Sequence, residues 1–77
     1  MNVKDFQCRD LIELFWDEDF RKVLSDEFDI DEVNNLFVAD EDDTYYYSFN
    51  AVSKVWREDE NGNYILIYNK DKVEKDV

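Results

Sequence analysis

Twenty-one aspartates and glutamates and no histidine frame what chemistry this chain can do. Carboxylates can act as general acid and base, but with so many of them chance pairs are certain, so pairing alone does not mark a dyad. The absence of histidine removes the commonest general base and the commonest metal ligand. Cys8 therefore has no imidazole partner, and Ser25, Thr44, Ser48 and Ser53 have nothing but carboxylates to activate them. Gly62 is the only glycine, which leaves no phosphate-cradling loop. The ligands for a structural zinc site are also missing. Asp59, Asn61 and Asn63 are spaced like the first three ligands of an EF-hand loop. Tyr64 and Lys70, however, stand where that loop needs its glycine and its bidentate glutamate. The expectation is a protein that is not an enzyme, with no catalytic residue, no metal site and no cofactor.

What remains is charge. Lys and Arg number 9 against 21 acids, for a net charge of -12. Residues 1–43 carry a net -11 and residues 44–77 a net -1, and Asp17 to Asp43 alone carries -10. Like charges held this close oppose compaction, so something other than folding selects for them. The candidate partner-binding residues are Asp17, Glu18, Asp19, Asp26, Glu27, Asp29, Asp31, Glu32, Asp40, Glu41, Asp42 and Asp43. Tyr46, from the run Tyr45-Tyr46-Tyr47, is a secondary contact. Such a surface repels nucleic acid and anionic membrane, which excludes direct binding to either.

The elements that must position these groups follow from periodicity. Phe6, Leu11, Ile12, Phe15 and Trp16 recur at helical spacing over residues 4–16, and Phe20, Val23, Leu24 and Phe28 continue the pattern as one helix or two. Carboxylates three or four apart on such helices lie about 5–6 Å apart. Ile30, Val33, Leu36 and Phe37 predict a third short helix over 31–37, capped by Asp29 or Asp31. Cys8 is expected as an inert thiol near the apolar face, and Trp16 and Trp56 in the core. Asp40-Glu41-Asp42-Asp43 reads as a loop. Residues 44–49, 52–57 and 64–69 read as strands, the last two joined by a type I′ turn centred on Asn61-Gly62. That turn places Trp56 opposite Ile67 and Val55 opposite Tyr68. Residues 70–77 read as a loose tail. The predicted fold is α+β, one acidic domain of two or three N-terminal helices followed by a small antiparallel sheet. An exposed sheet edge offers a route to a homodimer.

The chain resembles, in size, charge and lack of catalytic residues, the small acidic proteins with which lytic phages take over their hosts. Several of these imitate nucleic acid and block the nucleoid protein HU, the sliding clamp, uracil-DNA glycosylase or CRISPR nucleases. The abundance of Asn, Lys, Asp, Tyr and Phe and the lack of proline suit an AT-rich genome. The resemblance implies an inhibitor seated in the DNA-binding site of a basic host protein, HU first and otherwise the sliding clamp or a nuclease. The lone Cys8 allows no internal disulfide, which points to the cytoplasm, the bacterial host's cytosol for a phage-encoded chain. The competing expectation is a non-catalytic adaptor that binds a partner through an aromatic strand face, with the acids serving solubility.

Overall fold

The computed structural model describes residues 1–15 and 17–70, and for residues 17–20 the backbone alone. Seven strands form two antiparallel sheets. The first sheet contains β1 (Leu11–Leu14), β2 (Asp17–Val23), β6 (Val52–Glu58) and β7 (Tyr64–Asn69), in the order β2-β1-β6-β7. The second contains β3 (Asp29–Asp31), β4 (Leu36–Val38) and β5 (Tyr47–Ser48), in that order. Two short 3-10 turns, Val3–Asp5 and Phe49–Ala51, complete the assigned elements among the described residues.

The predicted α+β fold with N-terminal helices is therefore wrong: the described fold is built of strands. Over residues 4–28 the helical pattern competes with a period of two. Ile12 and Leu14 fill the core, while Glu13 between them faces the other side of β1 and pairs with Arg21 and Lys54, its cross-strand neighbours. The Glu13 carboxylate lies 3.3 Å from Arg21 Nε and 3.7 Å from Lys54 Nζ. Arg21 also stacks over the half-buried Trp56 ring, 5.0 Å from its centroid. Two-sided burial of this kind makes a short apolar run ambiguous between helix and strand. Arg9 breaks any helix through 4–16, because it sits at φ 71 and its amide bonds the Leu24 carbonyl at 2.6 Å. Cys8, at the same bend, is exposed rather than buried.

The predicted third helix, over 31–37, is a hairpin. Ile30 opposes Phe37, and Val33, placed by periodicity on the apolar side, is 93% exposed at the turn. Asp31 accepts from the Asn34 amide at 3.1 Å, the bond an N-cap makes, but here it closes a turn. Asn35 at φ 60 then reverses the chain. The strand expected over 44–49 shrinks to Tyr47–Ser48, followed by the 3-10 turn, whose Asn50 amide bonds Ser48 Oγ at 3.2 Å.

The β6–β7 hairpin forms where expected, with a different turn. Gly62 has φ 83, whereas Asn61 is not at positive φ. The Gly62 amide bonds the Asp59 carbonyl (3.1 Å), and the Asp59 amide bonds the Asn63 carbonyl (2.8 Å). This is a three-residue loop ending in a left-handed glycine, not a type I′ turn. The extra residue slips the register by one, so Trp56 opposes Leu66 rather than Ile67. A bulge between Val55 and Trp56 restores it, and Val55 does oppose Tyr68. Asp59 Oδ1 accepts from the amides of Asn61 (2.8 Å) and Asn63 (2.9 Å), so the EF-hand-like spacing serves the turn.

The core lies between the sheets, where Phe6, Ile12, Leu14, Leu24, Phe37, Val52 and Val55 are buried. Phe6 meets Phe37 edge-on at 5.0 Å. Two ion pairs tie distant segments together. Arg57 grips the 1%-exposed Asp10 in a fork of 3.0 and 2.9 Å. Lys22, on β2, bonds Asp43 at 2.7 Å and lies 5.3 Å from the centroid of the Tyr47 ring. The expected tail over 70–77 and the core position of Trp16 fall, apart from Lys70, outside the described residues.

Candidate functional site

The acids group at one end of the second sheet. Asp26 and Glu27 lie in the connection entering β3, Asp29 begins β3, and Asp40, Glu41 and Asp42 follow β4; all six are exposed. Strand pairing sets Asp29 beside Val38, and the Ser25 amide bonds the Ala39 carbonyl at 2.9 Å. The two acidic loops are therefore neighbours. The Tyr46 hydroxyl closes the group by donating to Asp29 Oδ2 at 3.2 Å, which joins residues 17 apart in sequence. That contact with a carboxylate raises the pKa of the Tyr46 phenol. None of the six carboxylates has an ion pair among the described residues.

The other candidates are placed differently. Glu32 is exposed in the β3–β4 turn, at the opposite end of β3. Asp31 is held by the Asn34 side chain (2.8 Å) and amide, and these bonds lower its pKa. Asp17, Glu18 and Asp19 lie on β2, an outer strand of the first sheet. Asp43 turns inward. Its Oδ2 accepts from the amides of Ala39 (2.9 Å) and Asp40 (3.2 Å), and its Oδ1 from Lys22. Burial pushes its pKa upward, but the Lys22 and backbone hydrogen bonds together outweigh that and leave it lowered. The helical carboxylate spacing does not apply. Alternate residues on a strand, as Asp29 and Asp31 are, sit about 7 Å apart on one face.

One cation, Lys22, borders the group through Asp43. Arg21 and Lys54 flank Glu13 across strands, Lys22 pairs with Asp43 after β4, and Arg57 pairs with Asp10 just before β1. A cavity of about 230 Å³ is lined by Asn2, Val3, Lys4, Glu32 and Asn35, away from the six carboxylates. Among the described residues no three His, Cys, Asp or Glu side chains converge as a metal site requires. Nor do they contain a helix long and apolar enough to cross a membrane.

Sequence reasoning missed a second surface feature. Tyr64, Ile65, Leu66 and Ile67 of β7 are each 41–52% exposed. The available signal was the apolar run Tyr64 to Tyr68 within nine consecutive uncharged residues, 61–69, in a chain whose residues are 39% charged.

The chain matches no family model, no curated protein and no solved structure.

Proposed function

We propose that this protein is a DNA mimic that occupies the DNA-binding site of a basic nucleic-acid-binding protein, with HU the first candidate and the sliding clamp or a nuclease next. The observation that carries this reading is the group Asp26, Glu27, Asp29, Asp40, Glu41 and Asp42, exposed at one end of the second sheet and without an ion pair among the described residues. The dimensions support it. The molecule measures 36 × 33 × 23 Å. A duplex as long as its longest axis carries about 21 phosphate charges, so 12 excess charges give about 60% of the duplex density. Lys and Arg side chains that grip phosphates would meet carboxylates instead, drawn in by the long-range field. Such a target places the protein in the cytoplasm.

The test is calorimetry against purified HU, sliding clamp and a DNA nuclease at two salt concentrations. Neutralising either Asp26, Glu27 and Asp29 or Asp40, Glu41 and Asp42 to the corresponding amides should weaken binding at least tenfold, mainly through the on-rate. Tyr46→Ala should matter less than either set. The adaptor reading predicts the reverse order: loss of Tyr46 or of the 79%-exposed Tyr45 ring abolishes binding, and the amide sets leave it intact.

A further inference from the structure

Every asparagine in the chain except Asn61 is followed by a residue with a side chain; Asn61 is followed by Gly62. That difference matters for one reaction. A succinimide closes when the backbone nitrogen of the next residue attacks the asparagine side-chain carbon. A following side chain crowds the attack, and glycine does not. Asn61 and Gly62 are both exposed, and the Asn61 carboxamide makes no hydrogen bond among the described residues. Asn34 and Asn35, by contrast, use their carboxamides to bond Asp31 (2.8 Å) and Asn50 (3.5 Å). The loop between β6 and β7 also acts on the attacking group. The Gly62 amide proton must leave before its nitrogen can attack, and it is donated to the Asp59 carbonyl at 3.1 Å. On either side, Asp59 Oδ1 holds the amides of Asn61 (2.8 Å) and Asn63 (2.9 Å). Asp59 therefore fixes three consecutive amides around the reacting atoms.

We infer that Asn61 is a deamidation site and that Asp59 is the latch that sets its rate. In the reaction the Gly62 nitrogen gives its proton to solvent base and bonds to Asn61 Cγ. The Cγ–Nδ2 bond breaks, and that nitrogen takes up a proton and leaves as ammonia. Water then opens the succinimide ring. Opening at the Cγ carbonyl leaves an aspartate at position 61. Opening at the backbone carbonyl leaves an isoaspartate, whose main chain runs through Cβ and Cγ. Water is consumed, ammonia is released, and nothing is oxidised or reduced. Because the closed loop withholds the Gly62 proton, the reaction proceeds through local opening. The isoaspartate lengthens a loop whose length sets the β6–β7 register, and it adds a carboxylate beside Asp59 and Glu60. Both effects loosen the hairpin.

The test is to age the purified chain at mildly alkaline pH and follow amide-to-acid conversion by intact mass, with peptide mapping to locate it. Asn61 should convert before any other asparagine and give both products. The folded chain should convert at least about fivefold more slowly than the same chain in guanidinium chloride. Hydrogen exchange at the Gly62 amide should show protection of matching size. Asp59→Ala removes the side-chain acceptor and should speed conversion of the folded chain at least about threefold. Asp59→Asn keeps an oxygen at the same place and should stay within about twofold of wild type. Near-UV circular dichroism checks that both variants are folded. Asn61→Gln should abolish the early conversion, because its longer side chain must close a larger ring. The isoaspartate form, separated by chromatography, should melt below the unaged protein. Conversion of a different asparagine first would overturn the inference. So would equal rates in the folded and denatured chains, or a folded Asp59→Ala variant that ages like wild type. An isoaspartate form that melts with the unaged protein would overturn the stated effect on the hairpin.

Discussion

Asp43 and its neighbours Asp40, Glu41 and Asp42 form one run in sequence but carry two different duties. The first three have exposed carboxylates, whereas the Asp43 side chain is 14% exposed and receives two backbone amides and the Lys22 ammonium. Asp43→Ala leaves those donors without an acceptor and should cost about 1–3 kcal/mol in chemical denaturation. Glu41→Gln should cost nothing or stabilise slightly, because it relieves self-repulsion. The pH dependence has a definite sign. The Asp43 pKa is lowered in the fold, so its contribution is complete above the ordinary carboxylate range near 4 and fades as pH falls through the lowered value. The Lys22 pKa is raised, chiefly by its hydrogen bond to Asp43, so the pair also weakens once pH climbs past the raised lysine value. The stability gap between wild type and Asp43→Ala should be flat between about pH 5 and 10 and shrink on either side. A gap that widens below pH 4 would contradict this account of the pair.

At the scale of elements, the hairpin was legible and the N-terminal half was not, for one physical reason. Asn61-Gly62 carries its conformation locally, since a glycine at φ 83 needs no tertiary help. Even so, the sequence could not separate a two-residue from a three-residue loop, and the one-residue slip at Trp56 followed from that. Residues 4–28 depend on distant partners. Glu13 looks solvent-facing until Arg21 and Lys54 flank it, and Arg9 is bent backward by the Leu24 carbonyl. Apolar residues three and four apart then imitate a helix that the pairing never allows. The acidic loops were visible as composition, but their adjacency through Ser25 and Ala39 was not, nor was the inward turn of Asp43. Gly62→Val forces a β-branched residue into the left-handed region and should cost at least about 1 kcal/mol. For a domain of this size that is about 4–8 °C in Tm. An unchanged Tm would show that the loop tolerates another conformation.

At the scale of the whole molecule, Arg21, Lys22, Lys54 and Arg57 are held by Glu13, Asp43 and Asp10, and a group of six carboxylates at one end of the second sheet has no ion pair among the described residues. Folding alone gives no reason for that division, because the repulsion it leaves opposes compaction. A partner rich in Lys and Arg does give one. The most direct test is displacement of a fluorescent DNA duplex from HU by this protein, followed by anisotropy across a salt series. The account predicts competitive displacement at one site, no binding of the protein to the duplex itself, and an inhibition constant that weakens steeply as salt rises. Failure to displace duplex from HU, the sliding clamp or a nuclease at low salt would contradict it, as would displacement whose strength ignores both salt and the loss of Asp26, Glu27, Asp29, Asp40, Glu41 and Asp42.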